Sequence, residues 1–449
     1  MQLRPIALLG SLLLLAATLS TSAQSSFSLQ EAVDFALRNN VKAKNANIDD
    51  KIAQAKVREI TTIGFPKVNA SYGINNNYII QKVIIPDGAV FGGPPGQPLA
   101  LEFQPQYGGN AVLSVNQLLF DGSYIVGLQA ARVYRELSAK SNEMTQVEVA
   151  ENVKKAYYGV LVNQERIGLL DATLNRLDST LREMKAMYAS GFVEKIDLDR
   201  LQVQRNNLAT EKEKVTRFQD ISLNLLKFQM GYDMAQPIQL RDRLQDVVFE
   251  ESLLESGSFS PLDRPEMKLL QTQKAATKLE IRNIRAGYLP SIGLQLQRGA
   301  LAGANDFDRV LDPNGSWFAY GSIGLGVNWS LFDSFTKRYR VQQKQLELQK
   351  VENNIYDFGK AINLQANQAQ ISLRSSYETM KNQEMTLQLS QDVLEVARKK
   401  YAAGVGSNLE VINAESEYRQ AQANYYNAVY DLLVAKVDLQ KAKGQLLTK

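Results

Sequence analysis

The sequence predicts an α+β membrane protein with internal duplication. Several chains would each give four strands to one transmembrane β-barrel, and each would carry long helical hairpins. Three observations lead there. The motif order repeats along the chain, two tracts of more than 130 residues lack proline, and alternating apolar and polar segments precede each tract.

The repeat comes first, because a fixed period decides the architecture. Val115-Asn116-Gln117-Leu118-Leu119-Phe120-Asp121 matches Val327-Asn328-Trp329-Ser330-Leu331-Phe332-Asp333 at an offset of 212 residues. Met187-Tyr188-Ala189-Ser190-Gly191 matches Lys400-Tyr401-Ala402-Ala403-Gly404 at an offset of 213. Gly64-Phe65-Pro66 resembles Gly287-Tyr288-Leu289-Pro290 at an offset near 224. The order is the same in both halves.

The proline-free tracts run from Pro105 to Pro237 and from Pro313 onward. A proline in a helix interior costs about 3 kcal/mol, so such tracts suit long helices. From Asp121 to Tyr188, and from Asp333 to Tyr401, a helix at 1.5 Å per residue is about 100 Å long. Asp121 and Asp333 stand where N-caps belong, and Gly191 and Gly404 where the helices end. Leu387, Ser390, Leu394, Ala397 and Tyr401 keep a 4-3 spacing. So do Tyr418, Ala421, Tyr425, Ala428, Leu432, Ala435 and Leu439. This is a coiled-coil seam, and it predicts two antiparallel helical hairpins.

Four strands are expected at about 67–77, 108–120, 290–298 and 317–332. In each, an apolar face (Val68, Ala70, Tyr72, Ile74 in the first) alternates with a polar or glycine face, the pattern of a barrel wall. Aromatic residues mark both ends of the fourth: Trp317, Phe318 and Tyr320 at one, Trp329 and Phe332 near the other. Long loops follow the first strand (Tyr78 to Gly109) and the third (Gly299 to Ser316). Four strands cannot close a membrane barrel, for which about eight is the minimum, and lipid does not tolerate open edges. Two chains would give eight strands and three would give twelve.

Composition sets the exclusions. The 449-residue chain has no cysteine and no histidine. Disulfides, Ser-His-Asp triads and His- or Cys-based zinc sites are therefore ruled out. No cofactor is implied, and no residue set points to an enzyme. A formal net charge of +4 gives no basic face for nucleic acid. Residues 1–23 read as a signal peptide, with Arg4, an apolar run from Leu8 to Leu19, and Thr21-Ser22-Ala23 before the cleavage point. No cysteine follows that point to take a lipid.

The signal segment, the two repeats of paired strands and long helices, and the duplicated LFD and YxxG motifs together resemble the TolC family of outer-membrane efflux proteins. The resemblance covers essentially the whole chain after the signal segment. It implies a homotrimer with a twelve-stranded barrel in outer-membrane lipid, continuous with a periplasmic α-helical coiled-coil barrel. It also implies two partners, a periplasmic adaptor (membrane fusion protein) and an inner-membrane transporter, in a tripartite efflux or type I secretion system of a Gram-negative bacterium. The chain itself would be a gated passive duct. The domain reading is a first repeat over 24–230 with its tip near 188–197, an equatorial linker over 231–265, and a second repeat over 266–449 with its tip near 401–410. The alternatives are a periplasmic adaptor, which needs only one hairpin, and a coiled-coil assembly protein, which needs no strands.

The resemblance also implies a gate at the tips. There a tyrosine and an arginine link to an aspartate on the neighbouring hairpin, and two acidic positions form rings. Tyr401 matches the tyrosine and Asp197 the aspartate. Gly406 stands at the arginine position, and Glu410 and Asn413 at the acidic ones. Three Glu410 carboxylates near an axis would favour cations. The plainer reading is a capping box in Ser407-Asn408-Leu409-Glu410. The turns Gly191-Phe192-Val193 and Gly404-Val405-Gly406 are the expected adaptor contacts, because an apolar Phe192 at a tip asks for a partner. Lys337, Arg338 and Arg340 below the fourth strand read as a solvated face.

Overall fold

The computed structural model describes residues 25–247, 249–255, 259–315 and 317–447. The expected signal peptide lies outside the described residues. In chain order the elements are β1 (Ser25–Phe27), α1 (Leu29–Asn39), α2 (Val41–Thr62), β2 (Lys67–Asn76), β3 (Lys82–Ile85), β4 (Leu99–Glu102), β5 (Tyr107–Phe120), α3 (Gly122–Ala189), α4 (Lys195–Met230), β6 (Ile238–Leu240), α5 (Pro265–Ala286), β7 (Ser291–Ala304), α6 (Phe307–Leu311), β8 (Trp317–Asn328), α7 (Thr336–Ala402) and α8 (Asn408–Ala442). The chain is rich in helix and divides into two compact units. One holds the residues up to Asp49 with Ala139–Leu269 and Ile355–Lys449. The other holds Asp50–Ser138 with Leu270–Asn354.

The first unit is helical. Its main core joins Ala32, Val33 and Ala36 of α1 to Val149, Val153, Tyr157 and Leu161 of α3, Leu226 and Met230 of α4, and Leu433 and Val437 of α8. A full capping box starts α1: Ser28 Oγ accepts from Glu31 N, and Glu31 Oε2 accepts from Ser28 N at 2.8 Å. Asn40 breaks α1 from α2, and its amide donates to Gln229 O at 2.7 Å. Gly231 ends α4 with φ +67, and a Cβ there would lie 2.6 Å from Asn39 O, so only glycine fits. A second seam packs Leu174, Leu177, Leu181 and Met184 of α3 on Leu201 and Leu208 of α4. In the α7–α8 pair Leu394 and Ala397 meet Ala414 and Tyr418.

The segment between α4 and α5 is braced rather than loose. β6 pairs in parallel with β1. Phe249 stacks on Tyr377 of α7 at 5.2 Å, and the Tyr377 hydroxyl bonds Glu251. Gln370 donates to the carbonyls of Leu253 and Leu254 at 3.0 Å.

Glu151 of α3 is 9% exposed. It takes Lys155 at 2.8 Å and Lys441 of α8 at 2.7 Å. Burial alone would raise its pKa, but the two ammonium hydrogen bonds outweigh it and the pKa falls below 4.5. A carboxyl depressed in the fold contributes stability above its unfolded pKa and loses it as pH falls through the folded one. Glu151→Gln is therefore expected to cost about 1–2 kcal/mol near neutrality, discounted for the partly exposed lysines. It should cost progressively less in acid. Thermal melts across pH check both the size and the slope.

The second unit centres on one antiparallel sheet in the order β2-β5-β7-β8. Pro66 precedes β2 and Pro290 precedes β7. The register gathers the apolar residues on one face: Val68, Val115, Leu296 and Ile323 form one row across all four strands. Lys67, Asn116, Gln295 and Gly324 form a row of the opposite, polar face. Asp121 caps α3 through Tyr124 N at 2.8 Å, and Asp333 caps α7 through Lys337 N at 3.0 Å.

Three strand and loop expectations are corrected. The fourth strand stops at Asn328 rather than 332, because its last ladder partner is Ser291 and the preceding Pro290 has no N–H to continue the ladder. Trp329 instead donates its indole N–H to Tyr288 O at 3.0 Å. The third strand runs on to Ala304, past 298, because Gly299–Ala304 pairs with Tyr107–Val112 of β5. The loop after the first strand holds a hairpin, β3–β4. Asp87 organises its turn by accepting from Ala89 N and Gly96 N at 3.1 and 3.0 Å.

Candidate functional site

The two hairpin turns share one geometry. Gly191 and Gly404 take φ +79 and +75, the left-handed conformation that lets a helix end abruptly. Phe192 N bonds Met187 O and Val405 N bonds Lys400 O, closing each helix in the same way. Each turn then leaves one large apolar side chain in the open. Phe192 is 80% exposed and Val405 78%. Gly406 is packed tightly, since a Cβ there would lie 2.9 Å from Lys400 Cβ. The arginine that the resemblance asks for would not fit this turn.

The hairpins are tied by a residue that the sequence reading did not single out. Asn408, in the first turn of α8, is 8% exposed. Its amide donates to Asp197 Oδ1 at 3.0 Å and to Asp197 O at 3.4 Å. Arg200 adds an ion pair to the same carboxylate at 3.7 Å. Asp197 itself sits in the first turn of α4, where the helix dipole favours a carboxylate. The missing arginine at Gly406 was the signal that could have sent the search for a substitute partner to the next turn.

Tyr401 packs on the α3–α4 leucine seam, and its hydroxyl lies 3.5 Å from Met184 Sδ. Burial, and then the charge of Asp197, raise its pKa, so it stays neutral and serves as a packing and donor group. Ser407 Oγ accepts from Glu410 N at 3.2 Å, which is half of the expected capping box. Glu410 and Asn413 line a groove of about 470 Å³ between α7 and α8, with Asp392, Lys400 and Glu417.

Three further surfaces are unpartnered among the described residues. On α4, Phe218, Ile221, Leu225 and Phe228 are exposed at a 3-4-3 spacing. On α7, Leu364, Ile371, Met385 and Leu389 are exposed at multiples of the heptad or a half of it. In the sheet, β2 and β8 are open edges, and Tyr72, Ile323, Leu325 and Val327 of the apolar face are exposed. Among the described residues no helix is long and apolar enough to cross a membrane.

Comparison with known proteins agrees with this geometry. The profile of the outer membrane efflux protein family matches residues 32–232 and 262–445. The chain is similar to the alkaline protease secretion protein AprF of Pseudomonas aeruginosa, with 22% identity over 339 residues, 75% of this chain and 69% of AprF. It is similar to the toluene efflux pump outer membrane protein TtgC of Pseudomonas putida, with 22% identity over 326 residues, 70% of this chain and 64% of TtgC. Its fold is like that of the outer membrane protein VceC of Vibrio cholerae, with a TM-score of 0.70 at 15% identity over 93% of this chain and 96% of VceC.

Proposed function

The chain belongs to the outer membrane efflux protein family, which makes it an outer-membrane efflux component, and from that premise we propose that it is one protomer of a homotrimeric, gated, non-catalytic duct. The observation that carries the reading is the four-stranded antiparallel sheet with one apolar face and two open edges. β2 and β8 run in opposite directions, so β8 of one copy can pair antiparallel with β2 of the next. Three copies then close a twelve-stranded wall with no edge left in lipid. The apolar face meets lipid, and the polar face lines the pore.

The duplicated halves, 24–230 and 266–449, supply two strands and one helical hairpin each, with 231–265 as a collar around the helices. The exposed stripes on α4 and α7 are the matching faces along which copies join into a periplasmic helical barrel. Such a duct has no energy source of its own. An inner-membrane transporter would drive cargo, and a periplasmic adaptor would seat on the tips, where Phe192 and Val405 offer apolar knobs beside Gly191, Val193, Gly404 and Gly406. The relatives act in protease secretion and in toluene efflux by name, so the cargo is either a small molecule or a secreted protein.

At the tips the gate is the Asp197–Asn408 tie with Tyr401 packed beneath it, and Glu410 and Asn413 face the entrance. Planar-bilayer recordings of the purified protein against Glu410→Ala test this. Stable pores whose cation preference falls in the variant are expected, since a ring of carboxylates raises the local cation concentration. Pores indifferent to the substitution would reduce Glu410 to a helix residue. Silence from a folded, inserted protein lacking both tips would sink the conduit itself.

A further inference from the structure

Arg298 is the one charged residue on the apolar face of the β2-β5-β7-β8 sheet among the described residues. The register sets it in the middle of β7, with Leu113 on one side and Gly321 on the other. It is exposed, and its guanidinium has no hydrogen-bond or ion-pair partner among the described residues. No acid shares its face, and a second copy of the chain brings the same face. Assembly of identical copies through their strand edges therefore leaves the charge unanswered. The nearest following acids, Asp306 and Asp308, lie past the end of β7, where Asp306 caps α6.

An arginine on a lipid-facing strand costs about 2–4 kcal/mol at the bilayer centre and about 0–1 near the headgroups. The face is built unevenly around Arg298. Toward the helices its neighbours are Leu296, Ile323 and Val115. Toward the loops they shrink to Ala300, Ala319 and Ala111, and beyond that row Trp317 and Val310 of α6 cover Gly109. Large side chains block one direction, and on the other the alanine row leaves room as far as the Tyr72–Trp317 stack. Four residues from Arg298 to Ala302, on a strand tilted about 40°, rise about 10 Å. An extended arginine covers most of that height and reaches the loop-side headgroups. Tyr72 and Trp317, stacked at 6.0 Å on the same face, mark that level.

Given the membrane-wall reading above, on which this rests, we propose that Arg298 is a binding site for the phosphate of an outer-leaflet glycolipid. A guanidinium pairs with phosphate through two parallel N–H···O bonds, which an ammonium cannot reproduce. The counter-charge that neither this chain nor its copies supply comes from the membrane.

The test is native mass spectrometry of the detergent-purified protein with a diphosphorylated glucosamine-disaccharide lipid, with the same lipid stripped of phosphate, and with phosphatidylglycerol. Inorganic phosphate serves as competitor. The wild-type protein should retain the diphosphorylated glycolipid at least about tenfold over the stripped form. Arg298→Ala should erase that preference while keeping the oligomer, and Arg298→Lys should keep part of it. Equal preference in Arg298→Ala and wild type overturns the assignment. So does displacement by inorganic phosphate, which would mark a free-anion site, and so does equal retention of phosphatidylglycerol, which would mark a general phospholipid contact. An inserted oligomer with no Arg298-dependent preference removes this proposal alone. A chain that never enters liposomes removes the wall reading and this proposal together.

Discussion

Asn408→Ala is expected to raise the open probability of the reconstituted channel by about tenfold or more. The amide tie to Asp197 spans the starts of α4 and α8 at 3.0 Å and is almost wholly buried. A hydrogen bond to a charged group contributes about 1.5–3 kcal/mol, and each 1.4 kcal/mol shifts a two-state equilibrium about tenfold. In the proposed threefold duct the tie would be lost three times over, so tenfold is the lower bound. Asn408→Asp separates the gate from a merely structural role. It sets two carboxylates face to face, which destabilises the tied state at neutral pH. Protonation of the introduced carboxyl restores a donor, and repulsion between like charges favours that protonation, so channels of this variant should close again as the pH is lowered. Bilayer recordings from pH 7 downward read both effects. An Asn408→Ala channel with wild-type open probability would leave the tie as simple packing. A helix cap or a packing residue would give no acid-induced closure in Asn408→Asp.

The tie also marks where sequence stops being legible. Long helices could be read because their causes are local and periodic: no proline after Pro105 until Pro237, and a seam in which Leu394, Ala397, Tyr418, Ala421, Leu432 and Leu439 recur at heptad spacing and are buried. The sheet faces could be read because alternation is local too. Tyr72 and Ile323 needed no partner to declare a face. The bond from Asn408 to Asp197 joins residues 211 apart, and nothing within either helix announces it. Pairing of β1 with β6 was hidden for the same reason, since three-residue strands carry no period. The β3–β4 hairpin was hidden by its own composition. Its proline and glycine mask a turn that Asp87 holds through two backbone amides, which also keep the Asp87 carboxyl below its usual range. The end of β8 was misplaced because the alternation from Trp317 continues through Leu331. Whether a strand continues depends on its neighbour, and here Pro290 ends the ladder.

Ring assembly should fail when either exposed stripe is made acidic. Ile221→Asp with Phe228→Asp on α4 removes two of four apolar anchors, each contributing about 1.5–3 kcal/mol when buried, and leaves carboxylates in the seam. A loss of at least about 4 kcal/mol per interface weakens association by about a thousandfold. The proposed trimer should then give way to monomer by native electrophoresis or light scattering. Ile371→Asp with Leu389→Asp on α7 should do the same. The two variants together distinguish how the stripes meet. If α4 of one copy packs on α7 of the next, the contact is heterologous, and rings close only when every copy keeps both faces. A mixture of the α4 and α7 variants then contains one sound pairing, intact α7 against intact α4. It should yield mixed dimers that cannot close. If each stripe met its own counterpart across a twofold axis, the α7 variant would still dimerise alone through α4. Homodimers of one variant would therefore exclude the threefold ring, whereas mixed dimers with no homodimers are the outcome a twelve-stranded wall requires.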